Sequence, residues 1–250
     1  MNSTARFLSA ALLLTTLQTT AQPEPLTLSA AERLQACTRQ LPLEPLDLHG
    51  TLRLRSYRGI VQSEADFTLK FRWGQNPQRI ELELRQSETA NLLERAVLTR
   101  DTTCSQTTIR RYSADGKQLP APNPNATIAG TDLTWMDLSL DFLWWKDVAY
   151  DTTPDIEREV MGRTCAVLIV KPPVNYPGYG SARLWLDLKT GFLLRAEHLA
   201  PNGIPIRRMW VQKVGKTNGK WMVRDMEIKS PTTNNRTMLW IDSLTTPAHE

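Results

Sequence analysis

Apolar and polar side chains alternate strictly through the first third of the chain. In "HGTLRLRSY" Leu52 and Leu54 face one way, and Thr51, Arg53 and Arg55 face the other. "SEADFTLKFRW" puts Ala65, Phe67, Leu69, Phe71 and Trp73 on one face, with Asp66, Thr68, Lys70 and Arg72 opposite. "RIELELR" repeats the scheme with Ile80, Leu82 and Leu84. A period of two marks strands with one buried and one wet face. Gly59 and "GQNP" supply the turns between them. "RAVLTR" and "QTTIRRYS" predict two further strands with a looser pattern.

After Trp145 the alternation returns. "REVMGRTCAVLIVKPP" predicts two strands about Gly162, and "ARLWLDLKTGFLLRAEHL" predicts a hairpin bending at Lys189-Thr190-Gly191. "PIRRMWVQKV", "KWMVRDMEIK" and "RTMLWIDSL" complete the run, with turns at "KTNG" and "PTTNN". Connections this short exclude crossover helices, so neighbouring strands are antiparallel. The inward side chains are large, Phe67, Phe71, Trp73, Leu184, Leu186, Met222, Met226 and Ile228 among them. A sheet of about eleven strands curls, and its concave apolar face must be filled.

Two helical segments are available to fill it. "LSAAERLQACTRQL", residues 28–41, opens with a Ser29/Glu32 capping box and carries Ala30, Leu34, Cys37 and Leu41 on one stripe. The second is "GTDLTWMDLSLDFLWW", Gly130 to Trp145, with three tryptophans, a phenylalanine, a methionine and four leucines. On a helical wheel Thr134, Asp137 and Asp141 fall in one narrow wedge with Ser139 nearly opposite. Almost everything else is apolar, which predicts burial on more than one side. The expectation is a helix ending near Phe142, with Leu143 to Trp145 entering a strand. Asp132 is expected near the helix start, where negative charge meets the positive end of the dipole. Asp137 and Asp141 are expected to form the exposed strip. The proline-rich "DGKQLPAPNPN", residues 115–125, is a loop and a seam between halves.

"GTDLTWMDLSLDFLWW" resembles the Gly-Ser/Thr-Asp-Leu-x-x-x-Asp-Leu signature of the bacterial outer-membrane lipoprotein-sorting protein family, relatives of the periplasmic carrier LolA and its receptor LolB. Gly130, Thr131, Asp132, Leu133, Asp137 and Leu138 match it. The resemblance runs on through "GRTCAVLIVKP", "ARLWLDLKTGFLLRAEHL" and "TMLWIDSL" and covers Ile128 to Leu244; the N-terminal strands agree in pattern only. It implies a mainly β (α+β) fold: a strongly curved antiparallel sheet of about eleven strands forming an incomplete β-barrel, capped by two or three helices on the concave side. The enclosed space would take the acyl chains of a lipoprotein or other lipid-like cargo. Leu133, Trp135, Met136, Leu138, Leu140, Phe142, Trp144 and Trp145 would form the gate and wall, facing Phe67, Phe71, Leu184, Leu186, Met222 and Met226. The alternative role is a soluble accessory or scaffold subunit of an envelope transport complex, partnered by inner- or outer-membrane transport proteins.

The N-terminus supports that setting. Arg6, an apolar run from Phe7 to Leu17, and Thr19 and Ala21 before Gln22 form a secretory signal peptide with cleavage after Ala21. The run is about half the length of a membrane span, and no cysteine follows it closely for lipid attachment. Residues 22–250 are then a single exported, periplasmic domain with no transmembrane segment. The chain's net charge of +4 falls to +3 with the loss of Arg6. That small, mixed charge gives no nucleic-acid footprint.

Cys37, Cys104 and Cys165 allow one disulfide in three pairings, or three small buried apolar residues, and match no zinc spacing. Catalytic chemistry is not legible. His49 opens a strand, His198 closes one, and His249 is penultimate. No nucleophile elbow, His-Glu-x-x-His helix, phosphate loop or dinucleotide fingerprint occurs. A non-catalytic protein without cofactor or metal is expected. In "NYPGYG", Tyr176 and Tyr179 flank a Pro-Gly bend, either as an aromatic rim at a ligand mouth or as cover for neighbouring apolar surface.

Overall fold

The computed structural model describes residues 28–101, 106–177, 179–217 and 220–247. The expected signal peptide, Cys104 and the tip of the "KTNG" turn lie outside them.

Helix α1 (Ala30–Thr38) comes first, followed by β1 (Leu46–Arg55), β2 (Val61–Arg72), β3 (Gln78–Gln86), β4 (Leu92–Arg100), β5 (Thr108–Tyr112) and β6 (Gln118–Leu119). A short helix, α2 (Trp135–Ser139), and a 3₁₀ turn (Asp141–Trp144) interrupt the strands. Then come β7 (Asp147–Tyr150), β8 (Glu159–Val160), β9 (Arg163–Lys171), β10 (Ser181–Asp187), β11 (Leu193–Leu199), β12 (Pro205–Thr217), β13 (Lys220–Lys229) and β14 (Arg236–Thr245).

All pairings are antiparallel, in the order β6-β5-β4-β3-β2-β1-β14-β13-β12-β11-β10-β9-β7, with β8 paired to β9. The chain's last strand joins its first, so β1 and β14 bind the two halves into one sheet. The ends, β6 and β7, do not pair, and the sheet stays open. It is nevertheless curled: Ile109 of β5 and Leu168 of β9, near opposite ends of that order, belong to one core.

The strand count is a correction: fourteen among the described residues, not about eleven. Short strands account for the difference. β6 lies inside the segment read as loop, and β7 follows the aromatic run where alternation is too brief to register. The helices are also shorter than expected. Ser29 and Glu32 do cap α1, but it stops at Thr38 rather than Leu41. It packs on β7 and the 3₁₀ turn.

The alternating positions face as read. Phe67, Leu69, Phe71, Ile80, Leu82 and Leu84 are buried in the main core. A smaller core of Cys165, Val167, Trp185 and Leu194 sits apart from it, covered by Ile156 and Val160. Cys37 and Cys165 are free and buried. Gly50, at the β1 bulge, shows how tightly the strands close. A Cβ there would lie 1.9 Å from the Trp240 carbonyl oxygen and 2.7 Å from the Phe67 ring.

Candidate functional site

The stretch from Ile128 to Trp145 forms a plug within the curled sheet. Leu133, Trp135, Met136, Leu138, Phe142 and Trp145 join Phe67, Phe71, Leu184 and Leu186 in the main core. Leu140, Trp144, Met222 and Met226 are partly buried and packed against it. The structure thus brings all the expected gate and wall residues to one buried cluster. A groove of about 560 Å³ does occur, but elsewhere. It is lined mainly by polar and charged side chains, His49, Thr68, Lys70, Arg79, Glu81 and Glu83 among them.

The helix expected to run to Phe142 breaks at Leu140. Its backbone turns left-handed there (φ 54°), ending α2 and starting the 3₁₀ turn. A bulky residue adopts that conformation only when its surroundings impose it. Leu143 and Trp144 complete the turn instead of opening a strand.

The expected exposed strip is overturned. Thr134, Asp137 and Asp141 are 0%, 2% and 2% exposed. Each of the plug's three aspartates is instead a buried tie to a different part of the sheet.

Asp132 serves β14. Its carboxylate accepts from the hydroxyls of Thr233 (3.2 Å) and Thr237 (3.3 Å), while its backbone N–H donates to the Thr237 hydroxyl at 2.8 Å. Its backbone carbonyl accepts from Arg207 of β12. Burial raises the Asp132 pKa, against the two threonine hydroxyls and Arg207. The helix-start role expected for Asp132 falls to Thr134 and Asp137, which form a capping box.

Asp137 serves β11 and β12. One oxygen lies 3.1 Å from Nδ1 of His198, and the other lies 3.5 Å from Arg207 and accepts from the Thr134 hydroxyl at 2.7 Å. Burial opposes its ionisation, but His198, Arg207 and Thr134 outweigh burial and hold the carboxyl below its usual range. Tyr179 stacks on His198 with centroids 4.4 Å apart, and Phe142 tilts against it from the plug at 5.4 Å.

Asp141 closes the gap between the sheet's distant ends. It pairs with Arg100 of β4 at 3.5 Å and accepts from the Thr107 N–H at 3.0 Å. From the other side the Tyr176 hydroxyl donates to it at 2.8 Å. Arg100 is buried over the Trp144 ring. Burial pulls its guanidinium down to about 10, with Asp141 opposing, so it stays charged at neutral pH. Tyr176 and Tyr179 therefore form no exposed rim; they turn inward and pin the plug.

His198, Arg207 and Arg100 are the members that sequence reading missed. A signal for His198 existed, since alternation from Ala196 places it on the inward face. No comparable signal existed for the arginines.

Among the described residues no group of three or more His, Cys, Asp or Glu could hold a metal ion.

The family model that matches, over residues 113–247, carries only the description "-like: Uncharacterized protein", and the chain belongs to that family. No curated protein matches. Solved structures define the fold. A DUF1329 family protein from Desulfovibrio piger is similar at TM-score 0.71 and 15% identity, covering 89% of this chain and 95% of that one. A putative outer membrane lipoprotein-sorting protein domain from Vibrio parahaemolyticus gives 0.71 and 16%, covering 88% and 94%. A LolA superfamily protein from Nitrosomonas europaea gives 0.64 and 8%, covering 89% and 96%. The resemblance drawn from Gly130 to Trp145 is borne out at the level of fold, which the chain shares with these structures. No helix among the described residues is long and apolar enough to cross a membrane.

Proposed function

We propose that the protein is a non-catalytic periplasmic carrier that takes an acyl chain of a lipoprotein or similar apolar cargo into the space occupied by the plug. One observation carries this reading. Among the described residues, the backbone-to-backbone hydrogen bonds of 128–143 close on residues 124–143, and where its backbone meets a strand, at Asp132, the partner is a side chain, Thr237 or Arg207. The plug is held by side-chain ties and apolar packing alone. Its displacement would leave the sheet's ladder intact and uncover a concave face lined by Phe67, Phe71, Leu184 and Leu186.

The energetics fit reversible exchange. Each buried methylene contributes about 0.8 kcal/mol, so a 16-carbon chain offers roughly 12 kcal/mol gross. Association and ordering costs remove much of that, and loss of the plug's own packing removes more. The lipoprotein-sorting and LolA-superfamily neighbours share the fold, which supports the reading without naming a cargo.

Native mass spectrometry of the exported protein, purified from its own host, tests it. A carrier retains a lipid-sized added mass that is lost on delipidation. A protein that holds no lipid and instead co-purifies with an envelope transport complex would be a scaffold, and the carrier reading would fail.

A further inference from the structure

We propose that one end of the curled sheet is a membrane-docking rim that seats on an anionic lipid surface. The register puts six hairpin tips at the same end; β3–β4 and β5–β6 carry charge, and the other four are successive along the sheet order: β1–β2, β13–β14, β11–β12 and β9–β10. Their sequences, "SYRGI", "SPTTNN", "APNGI" and "PPVNYPGYG", contain a single charged residue, Arg58, and no acid. Hairpin tips facing water ordinarily carry charge. These carry apolar side chains turned outward: Val174 is 92% exposed, Tyr57 65%, Ile60 63% and Ile204 59%.

Three cations lie at the tips or just beneath them. Lys171 ends β9, Arg236 opens β14, and both are exposed, as is Arg58. Two acids stand among them: Glu227, 3.6 Å from Arg236, and Asp147, 4.0 Å from Lys171. Apolar and tyrosyl tips above a ring of cations match a bilayer boundary, where apolar groups enter the acyl region and cations meet anionic headgroups.

A lipid surface fits better than a protein partner. The apolar residues stand on separate tips with uncharged polar residues between them. A specific protein interface centres on contiguous, desolvated anchors, whereas a bilayer accommodates scattered points. The rim also adjoins the plug, because the β9–β10 tip presents Val174 outward and sends Tyr176 inward to Asp141. The proposal does not depend on the interior taking cargo.

The test is flotation of the full exported chain with vesicles of zwitterionic lipid alone and with about one-third anionic lipid. Wild type should float with the anionic vesicles and more weakly with the neutral ones. Val174→Asp combined with Ile204→Asp should reduce flotation at least tenfold at unchanged thermal stability, since both residues are exposed. Ile60→Asp is the second variant, should the first pair perturb the fold. Absence of wild-type flotation would overturn the proposal, as would flotation abolished by salt yet indifferent to these substitutions. Capture of an envelope protein through the same residues, with no vesicle binding, would assign the rim to a protein partner and overturn it too.

Discussion

Nδ1 of His198 lies 3.1 Å from Oδ1 of Asp137, and these side chains are 1% and 0% exposed. So placed, this contact joins α2 to β11 inside an apolar core. Replacing the Asp137 carboxylate takes away the acceptor of the Thr134 hydroxyl and the charge that faces Arg207 in a buried site, at about 3–5 kcal/mol. Asp137→Asn should therefore lower stability by about that amount in urea titration. A change below about 1 kcal/mol would mean that the pair holds nothing.

Acid should loosen the same tie. Asp137 titrates below its usual range in the folded protein, as do Asp151, Asp187 and Glu197 beside their arginine partners. A depressed carboxyl stabilises the fold above its unfolded value, about 3.9 for Asp. That stability is lost as pH falls through the lower folded value. Asp132, raised by burial, works in the opposite sense. The urea midpoint should fall below about pH 4, and more shallowly in Asp137→Asn. An unchanged midpoint down to pH 2 would count against this account.

Tyr176 holds Asp141 from the far side of the gap. Tyr176→Phe removes that donor and should cost about 1–3 kcal/mol, because the acceptor is charged. With the plug less firmly held, a fluorescent fatty acid should enter faster. Equal rates in the two proteins would show that this tie does not gate entry.

Phe142 and Phe67 are both buried in the main core but should answer differently. Either truncation to Ala costs about 3–5 kcal/mol of stability. If the plug leaves when cargo enters, Phe142→Ala weakens only the closed state and should tighten probe binding. Phe67→Ala also removes a wall contact and should weaken it. Parallel losses of binding in both would identify the plug as part of the binding wall.

Export with cleavage after Ala21 predicts Gln22, free or cyclised, at the N-terminus of the periplasmic protein by intact mass. An exported chain beginning at Met1 would contradict it.

The strands of the sheet were legible because their one-sided burial writes itself as alternation, as at Phe67, Leu69 and Phe71. The plug's apolar residues were legible for the same reason that their aspartates were not. Periodicity reports polarity, and a carboxylate on a helical wheel reads as a wet face. Nothing local distinguishes a solvated Asp137 from one paired with His198, 61 positions away. The left-handed turn at Leu140 was equally hidden, since a leucine carries no signal for it. The short strands β6 and β7 escaped because two to four residues contain too few alternations.

Hydrogen exchange with and without a bound fatty acid tests the central claim most directly. On binding, amides from Ile128 to Trp145 should exchange faster, while those of β1, β2, β10 and β11 keep their protection. Bound lipid with an unchanged or slowed plug would contradict it, as would loss of protection across the whole sheet.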